Sequence, residues 1–482
     1  MFNLRDAFFA FVIIGILILL ARIIKHKIKW IQRLYIPESV VAGCLALFLG
    51  ADVLGVVISF SGGQIWTEGL FTEPIRNVWS QSPGVFINIV FAALFLGESI
   101  PSPRQIWRRA APQVIFGQSL AWGQYVVGII LTLAVLVPLF QMNPLVGSLI
   151  EIAFEGGHGT AAGMEQTFID LDFPEGKDLA LGLATVGIVA GIISGTILAN
   201  WGRKKGHIET FEMEVRDLSE YEQLSLQEVR ENQEAMELKR RQLTENLLID
   251  HLSLNFAFVG LAIGIGWLIL EGLKWFESIT WGTTGLVLIG YVPLFPIALI
   301  GGIIVQVVLT RLGLEALIIR RLMNNISGLA LDIVVITALA SISLQVLGTN
   351  FIPFLLLGAV GIAWNVCAFV FIAPRIIPSF WFERGICDLG QSMGVTATGI
   401  LLLRMVDPEN KSGAFESFAY KQLFFEPIVG GGLFTAASPV LIAQFGSIPI
   451  LIFTTILLAI WLTLGFVLFG KQAKINNSFK QG

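Results

Sequence analysis

The sequence predicts an all-α polytopic membrane protein whose two halves repeat one another in inverted orientation, with one extra transmembrane helix at the C-terminal end. Three observations carry this. The 482-residue chain is 55% hydrophobic and only 14% charged, with a mean hydropathy of +0.77, whereas soluble domains carry about 25% charged residues. Apolar stretches long enough to cross roughly 30 Å of hydrocarbon recur along it. Two glycine-rich polar runs interrupt these stretches, one in each half: Glu155-Gly-Gly-His158-Gly-Thr160 and Asp388-Leu-Gly390-Gln391-Ser392-Met-Gly394-Val-Thr396-Ala-Thr398-Gly399.

In chain order, spans are expected at 7–24, 39–60, 83–99, 112–138 and 178–200, then at 252–273, 286–310, 327–347, 352–373, 420–444 and 448–470, eleven in all. The apolar run Phe8 to Leu20 has the look of a secretory signal. Its basic cluster (Arg22, Lys25, Lys27, Lys29 and Arg33) follows the run instead of preceding it, so a retained first helix with its N-terminus outside is expected. Cytoplasmic loops are rich in Lys and Arg. Threading from that start puts Arg104, Arg108, Arg109, Arg203 to Lys205, Arg311, Arg320, Arg321 and Lys471 inside, and only Arg76, Lys177 and Lys274 outside. The C-terminus is then cytoplasmic.

The expected organisation is a first repeat over 1–202 with a hairpin at about 145–165, and a cytoplasmic helical linker over 203–250. A second, inverted repeat covers 251–447 with a hairpin at about 383–403, and the extra helix with its tail covers 448–482. The linker is dominated by good helix formers such as Glu222, Glu228, Leu238 and Lys239.

The repeat has its own marks. Each half passes from its polar run to Pro-Glu-x-Lys, at Pro174–Lys177 and Pro408–Lys411, and then to a glycine-bearing helix, with Gly187, Gly191 and Gly195 or Gly430 to Gly432. Five spans precede the linker, so the two polar runs enter from opposite sides and their tips can meet near the midplane, as alternating access requires. The first glycine stripe is equally readable as a helix-packing surface.

In hydrocarbon every backbone group must be satisfied within the protein, so broken helix is tolerated only around a cavity or buried site. Gly156, Gly157, Gly159 and Gly394 let backbone approach a ligand closely. The helix N-terminus after each break suits a carboxylate, and the carbonyls before it suit a hard cation. Thr160, Ser392, Thr396 and Thr398 add hydroxyls for either ligand. His158 is a candidate for substrate or proton contact, or alternatively for bonding the run's own backbone. Asp388 and Asp332 are intramembrane acids and so functional candidates, Asn325 being a structural partner for the latter. Glu155 is a further candidate for Na⁺ or ammonium contact; both it and Glu426 are placed near helix ends, where water is the alternative partner.

No hydrolase, zinc-protease or Walker-type motif is present, so neither an enzyme nor ATP drive is indicated. Cys44, Cys367 and Cys387 have no metal or disulfide spacing. No cofactor and no nucleic-acid partner are expected. The competing reading from another class is a gated channel.

Ile36-Pro37-Glu38-Ser-Val-Val-Ala42-Gly43, Gly156-Gly-His158-Gly-Thr160-Ala-Ala162, Ala184-Thr185-x-Gly187 and Gly394-x-Thr396-x-Thr398 resemble the bacterial sodium/glutamate symporters over most of residues 1–447. The resemblance implies two inverted five-helix repeats, each with a re-entrant hairpin, assembled as a homodimer in the bacterial inner membrane. It also implies Na⁺-coupled uptake of L-glutamate by an elevator movement of the hairpin-bearing domain. The alternatives are symport of another amino acid or dicarboxylate, and coupling to H⁺ through His158 or Asp388. The second run departs from the family's Gly-His-Cys-Gly-Phe-Gly-Leu-Gly-Ala-Thr-Pro-Thr: Asp388 stands where the histidine is expected, and Gln391 and Ser392 replace less polar positions.

Overall fold

The computed structural model describes residues 3–33, 36–61, 66–98, 102–208, 237, 239–240 and 250–478. Most of the expected linker, 203–250, lies outside the described residues. The main helices are α1 (Leu4–Lys27), α2 (Glu38–Phe60), α3 (Glu73–Ala93), α4 (Arg104–Phe140), α5 (Pro144–Phe154), α6 (Gly157–Gly163), α7 (Glu165–Asp170) and α8 (Glu175–Lys205). The second half gives α9 (His251–Ile279), α10 (Phe295–Arg311), α11 (Arg320–Ala340), α12 (Phe351–Ile376), α13 (Trp381–Val406), α14 (Ala414–Phe425), α15 (Leu433–Phe445) and α16 (Ser447–Ser478). No strand occurs among the described residues.

Local chemistry sets several ends. The Asn3 side chain accepts from the Asp6 N–H at the start of α1, and Asp250 accepts from Ser253 at the start of α9, satisfying donors that the first helical turn leaves free. Gly206, in left-handed conformation, stops α8.

Nine described helices are long and apolar enough to cross a membrane, so this is a multi-pass membrane protein. Those nine include α13, which folds back on itself, and omit three of the eleven expected stretches, where apolar composition hid the bounds of the elements. The stretch 286–310 is α-helical only from Phe295, and α10 is 17 residues long. The stretch 420–444 is two helices, α14 and α15, separated by an unwound segment in which Gly430 and Gly431 take φ of 71° and 100°. The stretch 83–99 is the second part of α3, which begins ten residues earlier in the chain and carries Pro83 internally.

Both glycine-rich runs turn the chain. At Gly394 (φ −154°, ψ 35°) and Val395 (φ 59°, ψ 177°) α13 leaves the helical region. Its two arms then lie side by side: a Cβ on Gly390 would sit 2.7 Å from Gly399 Cα, although unbroken helix would place these residues about 13 Å apart. In the first half Gly157 takes φ +69° between α5 and α6. The Asn143 side chain before α5 donates to the Asp172 carbonyl after α7 at 3.4 Å, so these two arms also close at their base.

The helices pack as two groups. The first three long helices of each half, α1–α3 and α9–α11, form one, with α3 and α2 on α11 and α9 on α10. The remainder form the other, with α8 against α5 and α13, and α16 against α4. The glycine stripe of α8 is what admits α13: a Cβ on Gly187 would lie 2.2 Å from the Met393 carbonyl, and one on Gly195 2.3 Å from Leu402. The groups meet where α6 crosses α3 and α11. Phe8, Leu268 and Val467 are exposed on α1, α9 and α16, as lipid-facing helices require.

Candidate functional site

The tips of the two runs touch. A Cβ on Gly157 would come within 2.4 Å of Val395 Cγ1, so a left-handed glycine and a left-handed valine face each other across the junction. The second tip is held from outside the run: the Ser392 carbonyl accepts from Gln124 Nε2 of α4 at 2.8 Å and Asn365 Nδ2 of α12 at 2.9 Å. Within it, Thr398 donates to the Gly394 carbonyl at 2.6 Å and packs on Gly191.

Buried oxygens without partners collect at this junction. Neither carboxylate oxygen of Glu155 has a hydrogen-bond partner among the described residues, and neither do Thr160 Oγ1 and Ser392 Oγ. All three side chains are buried, at 3%, 0% and 0% exposure. The Ser392 hydroxyl lies beside Glu155. Thr160 Oγ1 points at the unwound segment, where a Cβ on Gly431 would meet it at 2.6 Å. An anion and two hydroxyls in this state are costly in apolar surroundings; carboxylate and hydroxyl oxygens are the ligand types that hard cations take.

The second run continues as a directional chain of hydrogen bonds. Lys421 Nζ of α14 donates to Asp388 Oδ1 at 2.9 Å and to Gln391 Oε1 at 2.6 Å. Gln391 Nε2 donates to Gln422 Oε1 at 3.1 Å, and Gln422 Nε2 to Thr396 Oγ1 at 3.0 Å. Thr396 Oγ1 in turn donates to Glu426 Oε1 at 3.3 Å. The chain ends at a cavity of about 430 Å³ between the two helix groups, lined by Thr396, Gln422 and Glu426 on one side and by Phe95, Glu98 and Arg320 on the other.

The other candidates sort as follows. His158 is buried with a ring nitrogen 2.9 Å from Thr185 Oγ1 of α8, a partner outside its own run. Gly156 leaves room for Thr160, and Gly159 faces Ile87 of α3 and Leu331 of α11. Asp388 is fully buried against Lys421. Asp332, half-buried on α11, neighbours Ser39 of α2 and stands outside this cluster. Among the described residues no three His, Cys, Asp or Glu side chains converge as a metal site.

Sequence reasoning missed two residues. Lys421 was absorbed into the expected span 420–444. Glu151 sits in Leu149–Phe154, where an isolated intramembrane acid was itself a signal. Its carboxylate accepts from Gly430 N–H and Thr435 Oγ1, both at 2.8 Å, and from the Tyr125 hydroxyl. It thereby ties α5 to the break between α14 and α15. Glu426, expected near solvated ends, is half-buried on the cavity wall.

The sodium/glutamate symporter family model matches residues 5–407. The sodium/glutamate symporters of Escherichia coli (strain K12) and Shigella flexneri are each 27% identical over 203 residues, 42% of this chain and 45% of the relative; that match spans less than half of either relative's length. The chain belongs to the sodium/glutamate symporter family, which places it among transporters and not among enzymes.

Proposed function

We propose that the chain is a secondary active transporter that takes up L-glutamate together with Na⁺, by an elevator-type alternating-access movement. The observation that carries this is the meeting of the two runs at Gly157 and Val395, with the unpartnered oxygens of Glu155, Thr160 and Ser392 nearby and a cavity adjoining the second run that Thr396, Gln422, Glu426 and Arg320 help to line. Na⁺ takes those oxygens. The substrate occupies the cavity, one carboxylate on the N–H groups that begin the second arm at Thr396 and the other on Arg320 in exchange for Glu98. Glu426 receives the α-ammonium group, because Asp388 is already held by Lys421.

The two helix groups support the elevator reading. One holds both runs, and the other presents an apolar wall of Ile87, Leu331 and Phe295 to Gly159 and Gly163, a surface with few polar bonds to break on sliding. Each run is then a re-entrant hairpin and the halves are inverted repeats. The N-terminus lies outside and the C-terminus in the cytoplasm of a bacterial inner membrane, and the wall-bearing group is the dimer scaffold.

Competition of uptake tests the substrate. L-Glutamate should suppress uptake of labelled glutamate far more than malate or succinate at equal concentration, because a plain dicarboxylate leaves Glu426 unpaired. Equal competition by the dicarboxylates would remove the ammonium site from the account.

A further inference from the structure

We infer that Lys421 is a tethered cation: its ammonium occupies a cation position in the second run, and removing it exposes a latent Na⁺ site at Asp388. This rests on the cation-coupled reading above and adds to it a determinant of how many ions move.

The pocket around the ammonium is built for a cation of about this size. Its ligands are oxygens, Asp388 Oδ1 at 2.9 Å and Gln391 Oε1 at 2.6 Å. Two aromatic faces complete it, with Phe425 and Phe418 ring centres 4.2 and 5.2 Å from the nitrogen. Gln113 Nε2 also reaches Asp388 Oδ1, at 3.3 Å. Asp388 Oδ2 has no partner among the described residues, so the carboxylate keeps coordinating capacity. Lys421 and Asp388 are both fully buried. The lysine stem reaches the pocket only because residue 117 of α4 is glycine: a Cβ there would lie 2.6 Å from Lys421 Cε and 2.7 Å from its Nζ.

Asp388 and Gln391 are two of the positions where this second run departs from the family pattern, and they are the two that hold the ammonium. A buried carboxylate that stays ionised is stabilised by a counter-charge beside it, and leaving it unpaired is costly. A free ion supplies that charge only while bound, and is released to water in each cycle. A lysine on α14 supplies it permanently and contributes no ion to the transport stoichiometry. The ammonium is also the first donor of the chain that runs through Gln391, Gln422 and Thr396 to Glu426, so it fixes the orientation of both amides lining the route to the cavity.

Two variants of the full-length protein test this. Lys421→Met removes the charge and keeps the stem; Asp388→Asn with Lys421→Met removes the whole pair. Thermal unfolding of the purified protein is followed in NaCl against choline chloride, and radiolabelled Na⁺ flux per substrate is counted in proteoliposomes. Lys421→Met should gain a Na⁺-dependent rise in melting temperature beyond that of the parent, and should carry one more Na⁺ per substrate. The double variant should show the parent's Na⁺ response. Recovery of Lys421→Met only from Na⁺-containing buffer is the same result in a stronger form. The inference is overturned if Lys421→Met keeps the parent's Na⁺ response, or is lost equally in both salts while the double variant folds. A parent without Na⁺ response, beside a Lys421→Met that acquires one, would refute Na⁺ coupling and leave the tethered cation standing.

Discussion

Glu155 is the one carboxylate at the junction of the two runs with neither oxygen engaged, so its neutralisation has the clearest expected consequence. Glu155→Gln keeps the shape and removes the charge. The Na⁺ concentration for half-maximal uptake should rise at least about tenfold, the equivalent of ~1.4 kcal/mol, while the apparent affinity for glutamate at saturating Na⁺ changes much less. Unchanged Na⁺ activation would assign Glu155 elsewhere. Gly157→Ala tests the contact of the tips. A Cβ there meets Val395 Cγ1 at 2.4 Å on a backbone with φ +69°, and the left-handed conformation alone costs about 1–2 kcal/mol for a non-glycine residue. Melting temperature and uptake should both fall, and Val395→Ala in the same chain should restore part of the loss by removing the clashing methyl. Lack of any loss in Gly157→Ala would mean that the tips do not meet as described.

At the scale of elements, the sequence disclosed the two runs because glycine density and lone hydroxyls in apolar surroundings have few bland explanations. It disclosed the α14–α15 break less well: Gly430 to Gly432 were visible, but the flanking apolar residues read as one span. The reason lies in a long-range contact that no local pattern encodes, since Glu151, 279 positions before Gly430, accepts its N–H. Glu151→Leu should therefore loosen the break. Leaving buried donors of Gly430 and Thr435 unsatisfied costs about 1–3 kcal/mol, measurable as a lower unfolding temperature and faster proteolysis between α14 and α15. Unaltered cleavage and melting would show that the break is held by something other than this carboxylate. Lys421 was hidden for a related reason. It lies between Phe418 and Phe425 on α14, and nothing in that local run indicates that Asp388, 33 positions earlier, is its partner.

For the whole molecule, composition and the recurring apolar stretches were sufficient for a polytopic helical chain, because lipid imposes a minimum apolar length on every crossing. The separation into two helix groups was not legible, since it depends on which apolar faces meet. That separation yields a prediction for the movement. In a chain lacking the native cysteines, Ile87→Cys and Gly159→Cys place thiols across the boundary between α3 and α6. Cross-linking them should arrest uptake, and reduction should restore it. Normal transport by the cross-linked protein would exclude sliding at this boundary.

The central claim is coupled transport, and it is tested most directly in proteoliposomes containing only this chain. Labelled L-glutamate is supplied outside, with NaCl outside against choline chloride inside, or with equal NaCl on both sides. Uptake against the glutamate gradient is expected under the inward Na⁺ gradient, with only equilibration when Na⁺ is equal. Equal accumulation in the two conditions, or equilibration in both, would contradict the account.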